Sequence, residues 1–181
     1  MKFKKFKFKK VRSTNNTAIR IIKKTHCKYG MVISESQTNG KGQYGRKWIS
    51  HKGNLFVTFF YELNKIKLSI ATITKLNCLL IKKLISKYTN KKILYKKPND
   101  LFIDKKKICG ILQEIIFMQN KKYLITGIGI NINKSPYIKK CPTTNLNELT
   151  NKHIKINEIE KSLKQIFENN LLKMYNLKVN N

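Results

Sequence analysis

The sequence predicts an α+β domain with a single mixed β-sheet and helices packed mainly on one face of that sheet. Short runs of β-branched and aromatic residues recur along the chain, and two longer segments place apolar residues at helical spacing. Strands and helices do not alternate strictly, so a doubly wound parallel sheet is disfavoured. The 181 residues contain no internal repeat and no long linker, and we therefore expect one domain over residues 1–181.

The first part of the chain predicts strands on both sides of a glycine-rich loop. Residues 3–11 alternate phenylalanine with lysine, which is typical of an edge strand whose charged face resists pairing with another chain. Ser13-Thr14-Asn15 follows and offers caps for a helix. Residues 31–36 and 54–61 are rich in apolar residues, so each segment predicts a strand next to the loop.

The second part of the chain predicts the longest helix and a pair of antiparallel strands. From 68 to 88, leucine and isoleucine recur near helical spacing, and lysines fill many of the other positions. The remaining predicted elements are a strand near 93–95, a bend at 98–100, a turn at 104–106, strands over 108–117 and 123–132, an irregular stretch over 135–147 and a helix over 156–174.

The formal charge of +30 invites comparison with nucleic-acid-binding proteins, which gain affinity by releasing counterions. Arginine, the preferred side chain for phosphates and base edges, occurs only at positions 12, 20 and 46. The lysines are scattered over nearly every segment and accompany many asparagines and isoleucines, as A/T-rich codons would produce. The sequence therefore favours compositional bias over a specific DNA surface, and a basic nucleic-acid-binding module is the alternative from another class.

Cysteine, histidine and hydropathy patterns disfavour several kinds of protein. Cys27, Cys78, Cys109 and Cys141 include no pair at two-residue spacing, and the three histidines lie far apart. A zinc site or a disulfide framework is therefore not expected. The longest apolar stretches are too short to span a membrane, and the lysine-rich start lacks the apolar core of a signal peptide. We expect a cytoplasmic protein with no membrane partner.

The stretch from Gly40 to Trp48 carries the strongest local signal. Its glycines match the letters of the dinucleotide-binding fingerprint, which requires a helix immediately afterwards. A strand-like run follows at 54–60, so that interpretation is disfavoured. A solvated turn is the simplest alternative. A flexible basic loop can also wrap an anionic ligand with backbone N–H groups, and Trp48 supplies an apolar anchor for one end.

Three further motifs combine groups that suit a polar or anionic ligand. The 13–15 triplet clusters small donors and acceptors at a strand-to-helix junction, although helix capping explains most such triplets. The 96–100 segment bends at a proline and projects an amide and a carboxylate, and a carboxylate beside phosphate groups suits Mg²⁺. A lysine opens the 107–114 segment, and the glycines in 127–133 indicate close approach by a ligand or another backbone.

Together, these four groups resemble the catalytic domain of biotin-protein ligases in their order and spacing. The family pattern is Ser-Thr-Asn, a glutamine before a basic glycine loop ending in Arg-x-Trp, Lys-Trp-Pro-Asn-Asp, Lys-x-x-Gly-Ile-Leu and Gly-Ile-Asn. It matches residues 13–147 of this chain with few changes. The resemblance implies the fold type of the biotin and lipoate ligases.

The resemblance also implies roles for individual residues. The implied biotin-binding residues are Ser13, Thr14, Asn15, Gln37, Lys41, Gly42, Gln43, Lys107 and Gly110. The implied nucleotide-binding residues are Lys41, Arg46, Trp48, Asn99, Asp100 and Asn131. Lys107 is the implied catalytic residue because it would touch the reacting carboxylate and the α-phosphate. Asp100 is the implied Mg²⁺ ligand.

The activity that the resemblance implies has two steps. Biotin and ATP, with Mg²⁺, give biotinyl-5′-AMP, and a lysine of a biotin carboxyl carrier protein then takes the biotinyl group. The implied acceptor belongs to a carboxylase such as acetyl-CoA carboxylase, and a homodimer is compatible with the analogy. A lipoate ligase or lipoyl transferase of the same fold is the enzymatic alternative, and the loop at 40–48 argues against it.

Several positions depart from the family pattern. Lys97 replaces the tryptophan before the proline, and Lys41 and Gln43 replace two arginines of the loop, which reduces the bidentate grip on phosphate. Many relatives carry a DNA-binding winged helix before this domain and a small β-barrel after it. Only twelve residues precede Ser13 and the chain stops soon after the last helix. Neither addition is therefore expected here, nor is a repressor role.

Overall fold

Seven strands form one mixed sheet in the computed structural model, which describes residues 2–64, 66 and 68–176. The strands are β1 (Lys4–Phe8), β2 (Tyr29–Ser34), β3 (Leu55–Glu62), β4 (Ile93–Lys96), β5 (Asp100–Ile103), β6 (Lys106–Met118) and β7 (Lys121–Ile130). They lie in the order β1-β2-β3-β7-β6-β5-β4. β1 pairs with β2 in parallel, and the other neighbouring strands are antiparallel. The edge position predicted for the first strand is confirmed.

Helices cover both faces of this sheet, with most of them on one side. They are α1 (Thr14–Thr25), α2 (Ile70–Ile85), α3 (Leu146–Thr150) and α4 (Ile156–Asn176). α2, α3 and α4 pack in the larger core, where the Phe167 ring stacks on Phe59 with the centroids 4.2 Å apart. α1 packs Ile22 against Phe60 on the opposite face, because successive side chains of a strand point to opposite sides. The predicted fold class is confirmed.

Tight turns fix the register of the strands that later form the site. Asp104 and Lys105 between β5 and β6 have φ of 49° and 62°, and Gln119 and Asn120 between β6 and β7 have φ of 46° and 57°. Two consecutive residues with positive φ are typical of a type I′ hairpin turn. The turn predicted at 104–106 is confirmed. The resulting register places one glycine of β6 opposite one glycine of β7.

The other predicted elements are also present, with ends shifted by a few residues. The strand expected over 123–132 runs from Lys121 to Ile130, and the stretch expected to be irregular over 135–147 ends in the short helix α3. Element ends are set by hydrogen bonds that hydropathy patterns do not reveal. No helix in the described part of the chain combines the length and apolar character needed to cross a bilayer.

Candidate active site

A cavity of about 340 Å³ opens over the centre of the sheet and collects most of the predicted site residues. Its lining comes from the start of α1, the 40–48 loop, the 99–100 bend, the middle of β6 and β7, and the loop after β7. Segments far apart in sequence therefore meet at one site. We call residues 40–48 the lid, and Ser13, Thr14, Asn15 and Gln37 the α1 wall.

Gln37, rather than Ser13, caps the start of α1. The backbone N–H of Thr14 donates to Gln37 Oε1 at 2.7 Å, and the Thr14 hydroxyl donates to the same oxygen at 3.1 Å. Ser13 occupies the N-cap position, but its side chain makes no capping hydrogen bond. The interpretation that the Ser13 hydroxyl caps the helix is therefore wrong. Ser13 is nevertheless one of the residues that line the cavity.

Asn15 is held at both ends by the protein. Its Oδ1 accepts a hydrogen bond from the Thr58 hydroxyl at 2.7 Å, and its Nδ2 donates to Glu114 Oε2 at 2.6 Å. A Cβ added at Gly127 would lie 2.2 Å from Asn15 Oδ1, so β7 needs a glycine there to admit the amide. Sequence reasoning missed Glu114 and Thr58. The glycine inside a strand pattern was the one signal of this close approach.

The lid is a small hairpin closed by its own backbone. Gly42 N–H donates to the Arg46 carbonyl at 2.7 Å, and Trp48 N–H donates to the Gly40 carbonyl at 2.9 Å. A 3-10 turn over Gln43–Gly45 forms the tip, and β3 rather than a helix follows the lid. The structure thus agrees with the rejection of the dinucleotide fingerprint. Lys41, Gly42, Gln43 and Arg46 all line the cavity, as expected.

Lys107 lies between a carboxylate and an aromatic ring. Its Nζ is 2.7 Å from Asp100 Oδ2 and 5.3 Å from the centroid of the Trp48 ring. The Lys107 side chain is only 17% exposed, so this ammonium is partly desolvated. A cation fixed in such a place can stabilise negative charge better than a solvated lysine can. The choice of Lys107, which composition alone could not make, agrees with this geometry.

Two buried thiols lie under the Asp100 side of the cavity and contribute no charge. Burial, with a smaller effect from the Asp100 carboxylate, raises the pKa of Cys78 to about 12. Burial likewise raises the pKa of Cys109 well above the ordinary thiol value. Thiolates are the nucleophilic form of cysteine, so neither residue is suited to covalent catalysis.

Asn99 reaches the cavity, whereas Asn131 does not line it. The Asn99 amide group donates to the carbonyl of Ile111, which fixes the 99–100 bend against β6. Asn131 is 1% exposed, and its Nδ2 donates to the Lys107 carbonyl at 3.4 Å. Its Oδ1 accepts from Asn54 Nδ2 at 3.5 Å. Asn131 was an implied nucleotide-binding residue, but in this structure its amide turns inward and supports the backbone of Lys107.

The model of the Biotin/lipoate A/B protein ligase family matches residues 7–131. The chain belongs to that family. The matched range contains the greater part of the cavity lining, namely the α1 wall, the lid, Asp100 and Lys107.

Individual family members are similar to this chain over part of their length. Bifunctional ligase/repressor BirA of Escherichia coli is 30% identical over 102 residues, which are 55% of this chain and 32% of that protein. Its namesake in Bacillus subtilis is 29% identical over 126 residues, which are 68% of this chain and 39% of that protein. This chain thus spans about a third of the length of these two relatives.

A solved structure of a family member has the same fold. The biotin protein ligase from Aquifex aeolicus in complex with biotin and ATP superposes with a TM-score of 0.81 and 26% sequence identity. The similarity covers 97% of this chain and 73% of that one.

Proposed function

We propose that this chain is a biotin-protein ligase, which activates biotin as biotinyl-5′-AMP and transfers the biotinyl group to a lysine of a biotin carboxyl carrier protein. The observation that carries the proposal is the partly buried Lys107–Asp100 pair, which lies in one cavity with a polar wall and a basic lid. Family membership and the Aquifex aeolicus structure with biotin and ATP support the choice of substrates.

The α1 wall suits the uncharged polar head of biotin. The Ser13 hydroxyl makes no capping bond, and the Thr14 and Gln37 groups line the cavity beside it. Gln37 is fixed in place because its Nε2 donates to the Ser50 hydroxyl at 3.0 Å. Short donors held rigidly by the fold select a small ligand by its own donors and acceptors. Gly110 lines the same cavity.

Adenylate formation brings two anionic groups together. A carboxylate oxygen of biotin forms a bond to the α-phosphorus of ATP, and the bond to the bridging oxygen breaks, so that pyrophosphate leaves. Lys107 and Lys41 line the cavity and would offset the negative charge that accumulates on the phosphorus oxygens. Arg46 and Asn99 line the same cavity and would contact the nucleotide.

The site also fits a magnesium ion held partly by substrate. Asp100 Oδ1 is buried and has no hydrogen-bond partner in the described chain. The described residues contain no cluster of three histidine, cysteine or acidic side chains. One carboxylate with phosphate oxygens and water is an arrangement that Mg²⁺ accepts. Asp100 would hold the ion, which would neutralise phosphate charge when bound.

Transfer requires that water be excluded until the acceptor arrives, because the adenylate is a reactive mixed anhydride. The lid borders the cavity, and the bond from Trp48 N–H to the Gly40 carbonyl joins its two ends, so the lid could close over the intermediate as one hairpin. The amine of the acceptor lysine then attacks the biotinyl carbonyl, the bond to AMP breaks, and the proton lost by the amine passes to water. The charge of +30 favours an acidic carrier domain. Since ATP is an intracellular substrate, we place the reaction in the cytoplasm.

The test is a transfer assay with two candidate acids. The protein is incubated with Mg-ATP, a biotin carboxyl carrier domain and either biotin or lipoate, and the carrier is weighed by mass spectrometry. We expect the carrier to gain one biotinyl group and no lipoyl group. A lipoylated carrier, or a carrier of unchanged mass with both acids, would contradict the proposal.

A further inference from the structure

The Trp48 indole lies directly on a pair of glycines at the floor of the cavity. Gly110 of β6 pairs with Gly129 of β7. A Cβ added at Gly129 would lie 2.4 Å from Trp48 Cε2, and one added at Gly110 would lie 2.6 Å from Trp48 Cζ3. These distances leave no room for a side chain at either position, so both strands need glycine where the ring packs.

The same ring bounds the space of the Lys107 ammonium. Lys107 Nζ lies 5.3 Å from the ring centroid, a distance within the range of cation–π attraction, and 2.7 Å from Asp100 Oδ2. The added Cβ at Gly110 would also lie 3.3 Å from both Asp100 Oδ1 and Lys107 Cε. Trp48, Lys107 and Asp100 therefore converge over one glycine. A flexible lysine with contacts on two sides has few positions left for its ammonium.

The indole N–H has no partner within the described protein. Trp48 Nε1 is buried and makes no hydrogen bond. A buried indole N–H normally finds an acceptor, and an unpaired donor is costly. Because that nitrogen is also closed to solvent, a ligand oxygen could reach it only after the ring moves.

We infer that Trp48 is a positioning residue, whose ring face holds Lys107 Nζ where the carboxylate and the α-phosphate react. The inference rests on the proposed function and deepens it. It assigns Trp48 a part in the rate of adenylate formation, beyond anchoring the lid or binding the nucleotide.

Two kinds of variant test the role of the Trp48 ring: one displaces the ring, and the other replaces it. Gly129→Ala displaces the indole, because the three atoms nearest to the added Cβ all belong to Trp48. Trp48→Leu removes the aromatic face, and Trp48→Phe keeps a face but removes the N–H. Trp48 is the single tryptophan of the chain, so intrinsic fluorescence reports its surroundings directly.

The rate of biotinyl-AMP formation is measured with the purified full chain at varied ATP and biotin concentrations. We expect Trp48→Leu and Gly129→Ala to lower kcat by about tenfold, the size of a partly desolvated cation–π contact, with the KM for ATP within about twofold. Trp48→Phe retains an aromatic face, so we expect a smaller decrease in kcat for this variant. Without ligand, the Gly129→Ala emission should move to longer wavelength as the indole becomes solvated.

Each result decides a separate point. An unchanged kcat with a raised KM for ATP would show that Trp48 only binds the nucleotide, and would overturn the inference. A kcat in Trp48→Phe as low as in Trp48→Leu would overturn the role of the ring face. Unchanged emission in folded Gly129→Ala, checked by circular dichroism, would overturn the seating of the indole. A wild-type protein that forms no biotinyl-AMP would instead contradict the proposed function.

Discussion

The α1 wall and the lid face the same cavity but are built in opposite ways. Ser13, Thr14 and Asn15 of the wall are buried, and the wall is tied to other parts of the fold by the bonds from Asn15 to Thr58 and Glu114 and from Gln37 to Ser50. The backbone bonds of the lid join lid residues to one another, and its tip residue Tyr44 is 89% exposed. Segments with few buried contacts open at low cost in free energy. In the proposed ligase, the wall would select the acid that is bound, while the lid would control the access of water and the charge around the adenylate.

Lys107 lies between these two regions. Its removal should lower biotin transfer more than any other change described below. Lys107→Ala removes the ammonium that offsets charge on the phosphate, and we expect biotin transfer to fall by about 10² to 10³. Lys106→Ala is the matched control, because Lys106 is the exposed neighbour on the same strand. Thermal unfolding of both variants shows whether they fold. Near-normal transfer by a folded Lys107→Ala protein would remove Lys107 from its role.

The rigidity of the wall can be broken from outside the cavity through Glu114. Glu114→Ala leaves Asn15 Nδ2 with only its long, 3.5 Å bond to the Leu112 carbonyl, which should cost about 1–3 kcal/mol in the free energy of unfolding. We also expect a higher KM for biotin, because Asn15 and the start of α1 lose their support. Glu114→Gln keeps an acceptor oxygen and should recover most of both losses. If the two variants weaken biotin binding equally, the bond to Asn15 does not position the wall.

Phosphate binding by the lid can be strengthened at Gln43, where the family pattern has an arginine. An arginine would offer a bidentate, charged grip on phosphate, so Gln43→Arg should lengthen the half-life of bound biotinyl-AMP by about fivefold. Tyr44→Arg adds the same charge at the exposed tip and serves as the control. Adenylate release is followed by rapid filtration. A half-life that Gln43→Arg does not change would show that this position does not hold the intermediate.

Cysteine reactivity gives a smaller test of the same contrast between buried and open parts of the site. Cys78 has a pKa of about 12 and is buried, so at pH 8 its thiolate is scarce and alkylation should be very slow. The thiolate fraction grows only as the pH approaches that pKa. Cys141 lines the cavity and is partly exposed, so it should react first among these two and be protected by biotin with ATP. Peptide mass mapping after brief iodoacetamide treatment measures both. Fast labelling of Cys78 in folded protein would contradict its burial.

Local patterns were enough to predict most of the fold. The helix α2 has apolar residues at helical spacing, and the β6–β7 hairpin has alternating apolar runs on both sides of a short polar turn. These signals lie within about twenty residues of sequence, where periodicity can be counted. The resemblance of the motifs to a family likewise predicted that the lid, Asp100 and Lys107 belong to one site.

Contacts between distant residues could not be predicted in the same way. Asn15 and Glu114 are 99 positions apart, and nothing in a single sequence pairs them. Asn131 follows a strand, and its inward orientation depends on the amide of Asn54, 77 positions away. Trp48 was expected to anchor the lid, but its seat on Gly110 and Gly129 depends on the register of β6 and β7. Side-chain direction at a site is thus a tertiary property.

The most direct test of the account is pyrophosphate exchange, because it detects adenylate formation without an acceptor protein. Labelled pyrophosphate is added with Mg-ATP, and incorporation of label into ATP is measured with biotin, with lipoate and with neither. The account predicts exchange that depends on biotin and is lost in Lys107→Ala. Exchange that depends on lipoate, or the absence of exchange with biotin in the wild-type protein, would contradict it.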